Sequence, residues 1–184
     1  LYQMCGLPNM NVEVPCDSVE TFRATEHLLF KVKGPKYVRF AREATPVVTD
    51  DKTPYKWGKA NVIRFRGEKK NFKDAFEHYL ASKYRNEGED LSIIACGPSV
   101  PEAMRAAWIL KSEFDIETRV VNVHTVKPLD TAALIEAAVE TGVVVTAEEH
   151  QVGGFGNQVA AAIAVAAISM ITAPKTATEA WPID

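Results

Sequence analysis

Apolar and polar positions alternate over Asn11 to Val14, which predicts a short strand. Asp17-Ser18-Val19-Glu20 follows with the spacing of a capping box, so a helix is expected to run to about Phe30. Gly34-Pro35 stops it, and the β-branched and aromatic run Tyr37-Val38-Arg39-Phe40 predicts a second strand. Residues 41–68 are broken by Pro46, Pro54, Gly58 and Gly67, and read as a connector too polar for a core. From Lys70 the spacing changes. Phe72, Phe76, Tyr79 and Leu80 recur as on one face of a helix, so an amphipathic, solvent-facing helix is expected to end near Gly88.

The last hundred residues are the most regular. Leu91 to Cys96, Thr118 to Val123 and Val143 to Ala147 are β-branched runs with helical patterns between them, the signature of parallel strands joined by crossover helices. Ser99-Val100-Pro101-Glu102 reads as a second capping box, and Ala103, Met104, Ala107 and Trp108 as a buried stripe. Asp130 can cap the next helix, whose Leu134, Ile135 and Ala138 face inward, and Gly142 stands where a left-handed end is needed. Val159 to Ala173 is apolar but shorter than a membrane span, and reads as buried helix or strand. The expected fold is α/β: two α/β units, the second a mainly parallel sheet with crossover helices.

Composition narrows the function. With 21 basic and 24 acidic side chains in 184 residues the net charge is -3, without the positive field of a general nucleic-acid binder. An anionic ligand must therefore be gripped locally. Neither a nucleic-acid nor a membrane partner is expected. Cys5, Cys16 and Cys96 are an odd number with no Cys-x-x-Cys spacing, which points to a reducing, cytoplasmic setting. The chain begins on Leu1 without a charged leader, and its true amino terminus is expected further upstream.

In an open parallel sheet, ligands gather beyond the carboxyl ends of strands. Three segments occupy such places. The first is Arg39-Phe40-Ala41-Arg42-Glu43, whose Arg42 at the tip could hold a phosphate with its guanidinium fork or pair with a surface carboxylate. The second is Asn122 to Asp130, where His124 could titrate and Lys127 could meet an anion, although packing and loop shaping is the favoured role. The third is Glu148-Glu149-His150 with Gly153-Gly154-Phe155-Gly156, open to three readings: an acid and base pair, part of a metal site, or a glycine-lined approach to a phosphate. As a dinucleotide fingerprint it fails, because Val159 stands at the third glycine.

Leu7-Pro8-Asn9-Met10-Asn11-Val12-Glu13-Val14-Pro15-Cys16-Asp17, Gly34 to Glu43, Val121 to Asp130 and Ala147 to Gly156 together resemble, in order, the carboxyl-terminal half of the transketolase family of thiamine diphosphate enzymes. The resemblance implies that residues 1–45 are the end of a pyrimidine-binding domain, 46–89 a linker with the amphipathic helical insertion, and 90–184 the carboxyl-terminal domain. It implies transfer of a two-carbon ketol unit between sugar phosphates, in the pentose phosphate pathway, with the family's substrate-phosphate arginine falling on Arg42. No catalytic residue is assigned. Glu148, Glu149, His150, His124 and Lys127 stay structural, the Glu149-His150 stretch in relatives belonging to subunit contacts.

No Gly-Asp-Gly followed by an asparagine occurs in this sequence. Thiamine diphosphate and Mg2+ are therefore expected on residues outside this chain, as is the glutamate that activates the cofactor. The chain alone is expected to be inert. Its partners would be the thiamine-binding remainder and sugar phosphates, in a homodimer or heterotetramer. Alternative readings are a non-catalytic assembly or regulatory module, or part of 1-deoxyxylulose-5-phosphate synthase or of a 2-oxo acid dehydrogenase beta component. After Ala167 the resemblance fades, with no recognisable final strand.

Overall fold

The computed structural model describes residues 1–151 and 153–172. After a short helix α1 (Tyr2–Gly6), strand β1 (Asn11–Glu13), helix α2 (Ser18–Phe30) and strand β2 (Lys36–Val38) form the expected strand, helix, strand unit, with β1 and β2 parallel. Asp17 caps α2 as its spacing predicts, one carboxylate oxygen accepting the Glu20 amide at 2.9 Å. The return bond of the box differs by one residue, because Glu20 accepts from the amide of Cys16. The second oxygen of Asp17 takes the amides of Val48 and Thr49, pinning the start of the connector to this helix.

The connector is not excluded from the core. Strand β3 (Asn61–Phe65) is buried along four of its five residues and lies inside a five-stranded sheet. Its polar members are buried with partners: Asn61 donates to the Pro54 carbonyl, and Arg64 pairs with Glu89 and Glu117. Polarity hides this strand because its buried arginine is matched by carboxylates distant in sequence.

The expected amphipathic helix of 70–88 is also replaced. The segment holds two single-turn 3-10 helices, Lys73–Ala75 and Ala81–Lys83, around strand β4 (Phe76–Leu80), which pairs antiparallel with β3. A lone helix this short is marginal, whereas the edge of β3 offers a full ladder of backbone bonds. Phe76 packs its ring 5.4 Å from Phe65 and 5.0 Å from Phe72, so the aromatic spacing that mimics a helix serves a strand and its approach.

Strand β5 (Leu91–Ala95), helix α3 (Ser99–Phe114), strand β6 (Thr118–Asn122), strand β7 (Thr125–Lys127), helix α4 (Thr131–Thr141), strand β8 (Val144–Ala147) and helix α5 (Phe155–Thr172) complete the described chain. The large sheet runs β4-β3-β6-β5-β8, with β6 and β8 parallel to β5 and β3 antiparallel to β6. Alternation sends Val62, Ile94 and Val121 to one face, against Leu134 and Phe155, and Ile63, Ile93 and Val120 to the other, against Val100 and Met104.

Two caps depart from the sequence reading. Pro98, not Ser99, is the capping position of α3, and no side chain closes that end. Asp130 stands at the start of α4 but turns its carboxylate onto the Ala60 amide and Lys59. Gly142 ends α4 left-handed, as expected. Helix α5 covers the run read as buried, yet it buries Val159 and leaves Val165 and Ile168 exposed. Among the described residues no helix is long and apolar enough to cross a membrane. Residues 173–184, where a final strand was not recognised, lie outside the described residues.

His78 sits on the edge strand β4 with its imidazole largely buried and neither ring nitrogen hydrogen-bonded; burial pushes its pKa down to about 4 from 6.5. The native state therefore favours neutral imidazole. The corresponding stability is complete above about pH 6.5 and is lost as the pH falls toward 4. Urea unfolding at pH 7 and 4.5 should show a loss of about 2–3 kcal/mol that His78→Leu removes. An unchanged pH dependence in that variant would contradict a neutral buried His78.

Candidate functional site

The two units are joined by more than a linker. Strand β7 pairs antiparallel with β1 and completes a three-stranded sheet, β2-β1-β7. Just past β1, the Val14 amide donates to the His124 carbonyl at 2.8 Å, and the Val14 carbonyl accepts the Gly97 amide at 3.0 Å. A Cβ on Gly97 would lie 2.7 Å from the Val14 side chain, and its φ of +59° suits glycine. The first unit thus fills the space beyond the carboxyl ends of β5 and β6, where the sequence reading sought a ligand.

Behind this contact lies a buried polar cluster. Glu13 is fully buried, and one of its oxygens accepts from the Tyr55 hydroxyl at 2.5 Å and from Thr125 at 3.1 Å. The Thr125 hydroxyl also lies 2.9 Å from His124 Nδ1. With the Thr125 proton committed to Glu13, His124 carries its own proton on Nδ1 and donates to Thr125. The Tyr55 ring stacks on His124 at 4.6 Å, and burial with the Glu13 hydrogen bond holds the Tyr55 hydroxyl protonated far above the ordinary tyrosine range. His124 is sealed inside the molecule and packs there. Lys127 donates to the carbonyls of Cys5 and Leu7, fastening α1 to β7.

The glycine loop closes on itself. Glu148 places its two oxygens 2.7 Å from the amides of Phe155 and Gly156, at the start of α5. Cβ atoms at Gly154 and Gly156 would lie 2.3 Å from the Glu148 carboxylate and 2.9 Å from Thr146 Oγ1, so these glycines make room for Thr146 and Glu148. A carboxylate of the chain itself occupies the place a phosphate would take at such a helix start. Burial raises all three thiols, Cys5, Cys16 and Cys96, above their ordinary value, which keeps them protonated and poor nucleophiles at neutral pH.

At the rim, the chain keeps its cationic groups in two states. Arg39 reaches across to the Glu149 carbonyl at 3.4 Å, linking the end of β2 to the loop after β8. Glu149 is exposed, and His150 is half-buried beside the Gln151 carbonyl. Arg42, in the bend after β2, is exposed, and among the described residues it forms no ion pair, hydrogen bond or ring stack. The structure does not bring Arg42, His124 and Lys127 together: one faces solvent, one is sealed, and one is engaged by backbone. Sequence reasoning missed Glu13 and Tyr55. Glu13 alternates with valines like any outward strand residue, and Tyr55 lies among prolines and charges.

Residues 81–182 match the family described as Transketolase, C-terminal domain. The chain is 36% identical over 151 residues to one subunit of the apulose-4-phosphate transketolase of Phocaeicola vulgatus, covering 81% of this chain and 41% of that protein. It is 34% identical over 158 residues to a 6-deoxy-6-sulfo-D-fructose transketolase subunit of a Clostridium species, covering 85% and 42%. Among solved structures, a split-gene transketolase captured as an inactive beta4 tetramer superposes with a TM-score of 0.70 at 34% identity, over 90% of this chain and 48% of that one. The chain therefore spans less than half the length of these relatives.

Removing the Glu148 carboxylate strands two amides, and adding a methyl at Gly154 displaces that carboxylate. Glu148→Ala and Gly154→Ala should each cost about 1–2 kcal/mol in urea unfolding. The double variant should cost less than their sum, because the new methyl enters the space Glu148 leaves. Strict additivity would show that the two groups do not meet.

Proposed function

The chain belongs to the transketolase C-terminal domain family, and on that premise we propose that it is the carboxyl-terminal part, or a separately encoded subunit, of a thiamine diphosphate-dependent transketolase. In this reading it contributes Arg42 to the phosphate end of a sugar substrate during two-carbon ketol transfer. The carrying observation is that Arg42 is exposed at the carboxyl side of the first sheet and uncommitted, while Arg39 beside it already has a partner. A phosphate offers such a fork several acceptor oxygens at once. The competing surface-pair role has no carboxylate partner among the described residues.

Among the described residues, the helix start best suited to a diphosphate does not fit the cofactor. The donor pair at the start of α5, where a diphosphate would be expected to sit, is filled by Glu148. Thiamine diphosphate, which supplies the carbanion stabilisation, and Mg2+ then belong to a partner or to further chain. The relative from Phocaeicola vulgatus, itself one subunit of its enzyme, and the inactive beta4 tetramer support a second component. The further parts of the reading are assembly with that component as a dimer or heterotetramer, a place in pentose phosphate metabolism, and a cytoplasmic setting, which the free cysteines Cys5, Cys16 and Cys96 suit.

Mixed with the thiamine-binding component, the chain should complete ketol transfer from xylulose 5-phosphate, and neither part should do so alone. Arg42→Ala should lower kcat/KM about 10–100-fold for phosphorylated substrates, mainly through KM, and change it less than about threefold for an unphosphorylated ketose. Unaltered kinetics with phosphorylated substrates would remove Arg42 from the site. Full activity of the isolated chain would overturn the division of labour.

A further inference from the structure

The segment 66–75 that leads from β3 to β4 encloses, with α3, a feature that ketol transfer does not use. Phe65, Glu68, Lys69, Phe72, Ala75 and Trp108 line a pocket of 220 Å³, with Ala75 buried and the two charged residues exposed. Drug-sized ligands occupy pockets of about 300 Å³ and above, so this one suits a single ring. Phe72 is exposed, and Trp108 and Phe65 are only partly buried, although both pack on the core beneath α3. Aromatic surface of this kind favours an aromatic occupant, through offset or edge contacts beyond the area they bury.

The two exposed charges set the occupant's polar end. Most nearby charges are committed, Arg66 to Glu77 and Glu87, Lys73 to Asp50, and Lys111 to Asp115 and Glu117, while Lys70, exposed and unpaired among the described residues, does not line the pocket. Glu68 and Lys69 are exposed and form no ion pair or hydrogen bond among the described residues. Two adjacent residues of opposite charge above an aromatic floor match a zwitterion whose ammonium and carboxylate share one carbon. An aromatic residue inside a peptide carries neither charge and would leave both side chains uncovered.

We propose that this pocket binds one free aromatic α-amino acid, its ring among Phe65, Phe72 and Trp108, its carboxylate on Lys69 and its ammonium on Glu68. The site is independent of the transketolase reading and requires only the fold of this chain.

Calorimetric titration of the full chain with phenylalanine tests it. Saturable one-to-one binding is expected, with a Kd of about 0.1–1 mM. Lys69→Gln and Glu68→Gln, exposed substitutions that leave the core intact, should each weaken it about 3–10-fold. Phenylpropionate should lose the Glu68 dependence and phenylethylamine the Lys69 dependence. Leucine should bind at least tenfold more weakly than phenylalanine. Three results would overturn the proposal: no saturation up to about 10 mM, unchanged binding in both charge variants, or equally tight binding of N-acetylphenylalaninamide, which would make the pocket a dock for aromatic peptide residues.

Discussion

The structure turns on the wedge that Val14 drives between the ends of β5 and β6. Its amide and carbonyl are both used, one on His124 and one on Gly97, and the absence of a side chain at Gly97 lets the backbones approach. That close approach brings β7 alongside β1, so one sheet is shared by residues more than a hundred positions apart. It also closes the crevice that an open parallel sheet would otherwise offer a ligand. The residue the proposed function draws on, Arg42, lies at the rim, on the bend after β2.

Docking two units this tightly buries polar residues, and most of the groups at the seam find partners, although Glu13 Oε2, Asn122 Oδ1 and His124 Nε2 have none among the described residues. Glu13 is met by Tyr55 and Thr125, Glu20 by Cys16 and Asn122, and Asp17 by Val48 and Thr49. In the second unit Glu89 sits between Arg64 and Arg119, whose guanidinium lies 4.9 Å over the Tyr84 ring. Buried ion pairs of this kind add little net stability over well-packed apolar groups, but losing one partner is costly. They act as a register check: a slip of β3 against β6 would part Arg64 from Glu89, leaving a buried guanidinium without that carboxylate while Glu89 kept Arg119.

The regular part of the fold was readable because local signals agreed. The β-branched runs that became β5, β6 and β8, the Asp17 cap and the Gly142 terminator each report a preference satisfied within a few residues. The failures share the opposite cause. β3 reads as polar because Arg64 finds its carboxylates at positions 89 and 117, and β4 reads as helix because its aromatic spacing is compatible with both periods until β3 supplies the backbone partner. The site divides in the same way. Arg42 was visible as an arginine at a strand end, whereas the role of Glu148 was ambiguous, since only the return of the chain shows its carboxylate facing two amides seven and eight residues on.

Glu148 and Arg42 together define what this chain can offer an anion. At the start of α5, where backbone donors and the helix dipole converge, the negative charge is built in, and an incoming phosphate would have to displace a carboxylate held by two short bonds. At the bend after β2 the positive charge has no counterion among the described residues, so a phosphate arriving there would displace water alone. An exposed arginine by itself grips weakly in solvent. It gains strength when another surface excludes water from its other side, because the same charge pair is worth several times more at lower effective dielectric. On the proposed reading, with the anion nest at α5 filled, Arg42 acts where a second surface completes the site and not alone.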